Sequence, residues 1–189
     1  MPTELVLVRH GATTWSDERR HTGRSDVPLT AAGRAQAEYI AEALRAFDVR
    51  RCFASPLVRA WDTAVLIGCD PERDDDLLEW DYGDFEGLTT AEIRQRLPGW
   101  SVWTHQVTGG ETPEQVGARA DRVITRVTGL DGVTVLVAHA HLLRILAARW
   151  LDLPPLEGRR FTLDNATISV LGWERENRVM ARWNDPCGR

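Results

Sequence analysis

The sequence predicts an α/β fold, a three-layer α/β/α sandwich with a mainly parallel central sheet. Three observations carry that expectation. The runs Leu5-Val6-Leu7-Val8 and Val133-Thr134-Val135-Leu136-Val137-Ala138 are rich in Val and Leu on both faces, as strands covered by helices on either side must be. Stretches with helical periodicity alternate with strand-like ones along the chain. Helix-start signals recur at Thr30, Ser55-Pro56, Thr89 and Thr112. The 189 residues predict a single domain, 1–189, with enough chain for a substantial core.

Each element follows from local pattern. After the first strand, Thr13 to Pro28 is polar and too irregular for an element of its own. Thr30 then caps a helix that puts Ala37, Ile40, Ala41 and Leu44 on one face. Arg51 to Ala54 is a weak strand. Ser55-Pro56 reads as N-cap and first helical residue of a helix over Leu57 to Ile67. Asp70 to Asp76 reads as a solvated acidic loop. Thr89-Thr90-Ala91-Glu92 has capping-box spacing and starts a short helix, stopped by Pro98-Gly99. Thr112-Pro113-Glu114-Gln115 repeats the signal ahead of a stripe of Val116, Ala120, Val123, Ile124 and Val127. The strand ending at His139 follows, then a helix through Leu142 to Leu151, closed by Pro154-Pro155. Thr167 to Trp173 and Arg178 to Trp183 predict a hairpin around Glu176-Asn177. The apolar residues of 167–173 suit either the core or a homodimer contact.

Composition narrows the function. All 23 basic residues are arginine, which removes Schiff-base and P-loop lysine chemistry. A net charge of −5 argues against a nucleic-acid partner held by bulk charge. The three cysteines are widely spaced with no CxxC, so neither a disulfide framework nor a zinc site is expected. That usage suits a reducing cytoplasm. The first apolar run is too short for a signal peptide or a membrane span, so no membrane partner is expected.

The chemistry-bearing residues fall at strand ends, where ligands of such sheets bind. Arg9-His10-Gly11 ends the first strand. An imidazole there can attack or hold a phosphoryl group, and the guanidinium fork matches its oxygens. The tripeptide alone fits equally well a histidine that merely caps a strand. Arg59 lies in the first turns of the helix after Ser55, whose free amides attract anions. Glu79-Trp80-Asp81-Tyr82-Gly83-Asp84-Phe85-Glu86-Gly87 crowds carboxylates among aromatic rings. Desolvation there raises a carboxyl toward neutrality and suits it to proton donation, although an acidic surface loop has the same composition. His139-Ala140-His141 places one histidine at a strand end, and His141 inside the next helix reads as structural or supporting. The alternating histidines have no acidic partner at metal-ligand spacing, so no metal and no cofactor are expected.

Taken in order, Leu7-Val8-Arg9-His10-Gly11-Ala12-Thr13, Pro28-Leu29-Thr30 with Gly33 and Gln36-Ala37, the Ser55 to Ala64 stretch, Glu79 through Gly87, and His139 resemble the histidine phosphatase (phosphoglycerate mutase-like) superfamily. The matches run from near residue 7 to near residue 144, about three quarters of the chain. The resemblance implies a covalent phosphohistidine mechanism. It makes His10 the nucleophile, Glu79 the proton donor, and Arg9, Arg59 and a protonated His139 the phosphate pocket. Ser16, Thr22, Gly23 and Ala140 fall at further phosphate-contact positions. The family often has Asn where this chain has Ser16, Gly where it has Ala140, and many mutases have Gln-Gly at Thr22-Gly23. Ser has a shorter reach, and the Ala140 methyl narrows the pocket floor or demands another backbone angle.

Three activities fit: a phosphomonoesterase on a small phosphorylated metabolite, a cofactor-dependent phosphoglycerate mutase, and a phosphate-ester-binding protein without turnover. The last is disfavoured because His10 and Glu79 are both present. Mutases of the family usually carry a longer, basic insert after the Glu segment. This chain is short there and offers Trp100-Ser101-Val102-Trp103, either an aromatic rim for an organic substrate or core packing. His21-Thr22-Gly23, Glu79 to Gly83, and Trp100-x-x-Trp103 with Gly109-Gly110-Glu111 resemble a branch that includes mycobacterial-type acid phosphatases and fungal sedoheptulose-bisphosphatases. That branch implies a phosphatase, with sugar phosphates a reasonable substrate class.

Overall fold

A computed structural model describes residues 3–188. Its centre is a six-stranded sheet in the order β3-β2-β4-β1-β5-β6. The strands are β1 (Glu4–Arg9), β2 (Val49–Ala54), β3 (Glu72–Arg73), β4 (Val133–Ala138), β5 (Ile168–Glu174) and β6 (Asn177–Asp185). β1, β2, β3 and β4 pair in parallel, whereas β5 joins β1, and β6 joins β5, antiparallel. The predicted α/β sandwich is therefore present, its mainly parallel sheet extended by an antiparallel hairpin.

The apolar runs work on both faces, as their composition requires. Leu5 and Leu7 of β1, with Leu136 and Ala138 of β4, enter one core. Val6 and Val8, with Val135 and Val137, enter the other. The first core is covered by α5 (Pro113–Thr128) and α6 (Ala140–Trp150), the second by α2 (Ala31–Leu44) and α3 (Val58–Leu66). Two shorter helices, α1 (Thr14–Asp17) and α4 (Thr90–Arg96), lie in the connections. The expected caps of α2, α4 and α5 form at Thr30, Thr89 and Thr112, with full capping boxes at the last two.

Several local expectations change. The Thr13–Pro28 stretch contains α1, a single turn capped by Thr13 and Ser16, too short to show apolar periodicity. Ser55-Pro56 does not open α3. Leu57 is its N-cap, and the Val58 amide donates to Asp26 Oδ1 at 2.7 Å, a cap supplied from a distant loop. The acidic 70–76 segment is only partly solvated. Glu72–Arg73 adds an edge strand, nearly buried Asp74 pairs with Arg126, and Asp76 pairs with Arg122 and Arg126. The hairpin turns at Arg175-Glu176, one residue early, with Arg175 in the left-handed region at φ 56°. Ile168, Val170 and Leu171 are buried within one chain, so this stretch serves the core. Among the described residues no helix is long and apolar enough to cross a membrane.

Candidate active site

The parallel strands β1, β2 and β4 end side by side, and the residues that follow them converge. Two glycines make this packing possible. A Cβ on Gly11 would sit 2.2 Å from the Gly33 carbonyl oxygen, and one on Gly33 would sit 2.1 Å from the Ala12 oxygen. The turn after β1 and the start of α2 thus touch backbone to backbone. That turn is also tied down from three sides. The Gly11 amide donates to Thr63 Oγ1 (3.1 Å), the Ala12 amide to Gln36 Oε1 (3.0 Å), and Asn165 Nδ2 to the carbonyls of His10 and Gly11 (3.1 and 3.2 Å).

His10 sits in this frame, 6% exposed. Its Nδ1 lies 2.7 Å from the Gly11 carbonyl, which can only accept, so Nδ1 carries the proton and Nε2 keeps its lone pair. Burial, then the guanidiniums of Arg59 and Arg9, hold the imidazole well below its ordinary pKa. It is neutral at physiological pH. The His139 ring stands 5.2 Å away, centroid to centroid, edge-on.

His139 is the N-cap residue of α6 but caps nothing with its side chain. Instead Arg59 Nε donates to its Nδ1 at 3.1 Å, and Nε2 lies 2.8 Å from Ser55 Oγ. An Nδ1 that accepts leaves the single proton on Nε2. Burial, then Arg59, His10 and Arg9, also push its pKa well below the ordinary value. This corrects the expectation of a protonated His139: the buried ring already faces a guanidinium proton.

The two arginines differ. Arg9 Nη1 donates to the Leu163 carbonyl, whereas its Nε is buried without a hydrogen-bond partner. A buried unpaired donor calls for an explanation, and an anionic ligand supplies one. Arg59 is fully buried on α3. Besides His139 it donates to the carbonyls of Ser25 (2.8 Å), Thr22 (3.1 Å) and Gly23 (2.9 Å). Most of its fork therefore holds the loop over the site.

Glu79, 4% exposed, lies at the amino end of α6. The sequence placed it against aromatic rings, but amides hold it. Oε1 accepts from the amides of Trp80 and Leu142, each at 2.9 Å, and Oε2 from the His141 amide at 3.1 Å. A carboxylate from 62 residues upstream of His141 thus does the capping that His139 leaves undone. His141 is supporting in a second way, since its Nδ1 lies 2.6 Å from the Tyr82 hydroxyl.

The remaining candidates are placed less directly. Ser16 Oγ donates to the Thr13 carbonyl and accepts from the Thr13 amide, both at 2.9 Å, so it is committed to capping α1. Thr22 Oγ1 donates to the Arg20 carbonyl, and the Gly23 amide donates to the Glu86 carboxylate. Both belong to the loop that Arg59 holds. Ala140 is the first residue of α6 and is not among the positive-φ residues, so its methyl demands no unusual backbone. Trp100 is 1% exposed and packs on His21 and Phe85, a core residue and not a rim. Trp103 is half-buried beneath the Arg144 guanidinium at 4.7 Å.

Ser55, Thr63, Asn165 and Asp26 shape the site without a clear sequence signal. Ser55 looked like a cap, and Thr63 is a fixed spacing from Arg59. Asn165 and Asp26 sit in irregular segments, where periodicity says nothing.

Comparisons with known proteins agree with this geometry. The chain is 42% identical over 182 residues to an acid phosphatase of Mycobacterium tuberculosis, covering 94% of this chain and 90% of that one. It is 34% identical to the sedoheptulose 1,7-bisphosphatase of Saccharomyces cerevisiae, over 78% of this chain and 67% of that one. The solved structure of a mycobacterial glucosyl-3-phosphoglycerate phosphatase in complex with VO3 superposes with a TM-score of 0.88. Its identity is 31%, over 96% of this chain and 98% of that one. The profile of the histidine phosphatase superfamily, branch 1, matches residues 5–186, and with the ends of β1, β2 and β4 meeting around His10 the chain belongs to that family.

Proposed function

We propose that this protein is a cytoplasmic phosphomonoesterase that hydrolyses small phosphorylated metabolites, sugar phosphates among them, through a phosphohistidine on His10. One observation carries the reading: a neutral, buried His10 whose Nδ1–H is spent on the Gly11 carbonyl, leaving Nε2 as the free base. A nucleophile must be unprotonated at the attacking atom, and the backbone bond fixes which atom that is.

In the first half-reaction His10 Nε2 attacks phosphorus. The Nε2–P bond forms as the bond to the ester oxygen breaks. Arg9, whose Nε is unpaired, and Arg59 offset charge on the equatorial oxygens, while His139, bonded to Arg59 and Ser55, fixes the Arg59 guanidinium. Glu79 gives its proton to the departing alkoxide. Oε2 is the oxygen suited to this, because Oε1 already accepts two amides and Oε2 only one. In the second half-reaction the Glu79 carboxylate takes a proton from water, whose oxygen attacks phosphorus and releases His10.

The test is a phosphometabolite panel with 3-phosphoglycerate, with and without 2,3-bisphosphoglycerate, and sugar mono- and bisphosphates. The expected result is free phosphate exceeding any isomer. Isomer formation exceeding phosphate release would instead make the chain a mutase. Rapid quenching should trap acid-labile, base-stable phosphate on His10, and His10→Ala should abolish both label and turnover. Label on serine or aspartate, turnover retained by His10→Ala, or activity lost in EDTA would each overturn the mechanism.

A further inference from the structure

The segment that carries Glu79 has little regular structure of its own. Leu78 to Tyr82 belongs to no helix or strand, so its backbone groups take their partners from elsewhere. Many of them come from two residues outside the phosphate pocket, Arg119 on α5 and Glu111 of the Gly109-Gly110-Glu111 turn. Arg119 is 8% exposed. Its Nη1 donates to the carbonyls of Asp76 and Leu78, both at 2.8 Å, and its Nη2 to that of Glu79 itself at 3.3 Å. The rest of the fork goes to Glu111, Nε to Oε1 and Nη2 to Oε2, each at 2.8 Å.

Glu111 takes up the chain beyond Glu79. Its Oε2 accepts from the Asp81 amide (2.9 Å) and its carbonyl from Trp80 Nε1 (2.8 Å), while its own amide donates to the Asp81 carbonyl (3.0 Å). The turn before it fits only without a side chain. A Cβ on Gly110 would sit 2.3 Å from the Asp81 oxygen.

We propose that Arg119 and Glu111 are positioning residues that aim the Glu79 carboxyl at the ester oxygen by fixing the backbone on both sides of it. The inference rests on Glu79 as the proton donor of the proposed reaction. The amides of His141 and Leu142 on α6 hold the carboxylate end of Glu79. Its main-chain end is held from α5, through the guanidinium. An arginine suits this task, because its planar fork meets three carbonyls and a carboxylate at once. Glu111 balances the buried charge and fixes the plane of the fork. Reactions are sensitive to such placement: a shift of about 1 Å can cost roughly 10²-fold in rate.

The experiment measures single-turnover alcohol release from glycerol 2-phosphate and from p-nitrophenyl phosphate in the full-length protein. The variants are Arg119→Lys, Glu79→Gln and the two combined. Lysine keeps the charge beside Glu111 and loses the fork. Arg119→Lys should slow glycerol release by roughly 10–100-fold and p-nitrophenol release by less than about threefold. In the Glu79→Gln background the same change should add less than about threefold. The inhibition constant of inorganic phosphate should be unchanged, since Arg9 and Arg59 remain. Arg119→Met combined with Glu111→Gln removes both buried charges together and should give the same pattern, which guards against misfolding from one unpaired charge. Unchanged glycerol release in both altered proteins, equal slowing on the two esters, full additivity with Glu79→Gln, or a phosphate affinity that falls with the rate would overturn the inference and leave the role of Glu79 standing. Equal slowing of the two esters by Glu79→Gln itself would overturn that role, and the inference with it.

Discussion

Acidification from pH 7.5 to 5.5 should cost this protein several kcal/mol of folding stability. Four of its five histidines, His10, His21, His139 and His141, are pushed below their ordinary pKa, in each case chiefly by burial. For His21 the value is about 4. In the unfolded chain each imidazole takes up a proton near pH 6.5, whereas the folded rings do not. The unfolded state therefore binds more protons as pH falls, and stability is lost in that direction. It is fully present above about pH 7.5 and declines through the unfolded pKa of about 6.5. Between pH 7.5 and 5.5 each ring contributes about 1.4 kcal/mol, so four contribute ~5 kcal/mol. Carboxylates titrate lower and add little in this window. Total stabilities are typically about 5–15 kcal/mol, so the loss should be plain in urea titrations followed by tryptophan fluorescence at the two pH values. His21→Gln should remove about a quarter of it. Saturating inorganic phosphate should reduce it, because a dianion between His10 and His139 stabilises their charged forms. A change under ~1 kcal/mol would refute the reasoning, since it would mean that the folded rings protonate as freely as unfolded ones.

Three further outcomes follow from the site. Glu79→Gln should slow phosphorylation of His10, read as the single-turnover rate of alcohol release, by roughly 10²–10⁴ on alkyl phosphates but much less on p-nitrophenyl phosphate, whose leaving group needs no proton, while steady-state turnover falls on both because Glu79 also activates the water; equal losses in the single-turnover rate would remove Glu79 from protonating the leaving group. Ser55→Ala, which strips the partner from the buried His139 Nε2, should lower the urea stability by about 1–2 kcal/mol and kcat/KM by roughly tenfold; unchanged kinetics would show that this hydroxyl does not position the ring. Gly33→Ala drives a methyl to 2.1 Å from the Ala12 oxygen and should destabilise by about 3 kcal/mol or more, with activity falling alongside; a urea midpoint equal to that of the parent protein would mean that the backbone contact yields easily.

The strand ends were legible because a continuous Val/Leu run has few other homes than a sheet covered on both faces. Thr30, Thr89 and Thr112 were legible as caps because their partners lie three residues on. The rest depends on partners far apart in the chain. Asp26 caps α3 from 32 residues upstream, and Glu79 holds the His141 amide from 62 upstream, separations at which spacing carries no signal. Ser55 illustrates the ambiguity: a serine before a proline and an apolar run reads as a local cap, yet its hydroxyl meets His139, 84 residues away. The charge state of His139 was beyond reach for the same reason, since it depends on which atom of Arg59 faces the ring.

Those two distant caps have a consequence for phosphate binding. A helix amino end is a ready anion site, and two of them, those of α3 and α6, adjoin this cluster. Each is partly engaged, the Val58 amide of α3 by Asp26 and the His141 and Leu142 amides of α6 by Glu79. In the proposed reaction that leaves the phosphoryl group to lean on side chains as well, and Arg9 Nε is a buried donor without a hydrogen-bond partner. Arg59 cannot turn its whole fork to the substrate without releasing the Thr22–Ser25 loop. A phosphate that drew Arg59 inward would loosen that loop, and one that left Arg59 in place would lean on Arg9. The site thus favours a small anion whose phosphorus faces the bare His10 Nε2 and whose oxygens meet the unpaired Nε of Arg9.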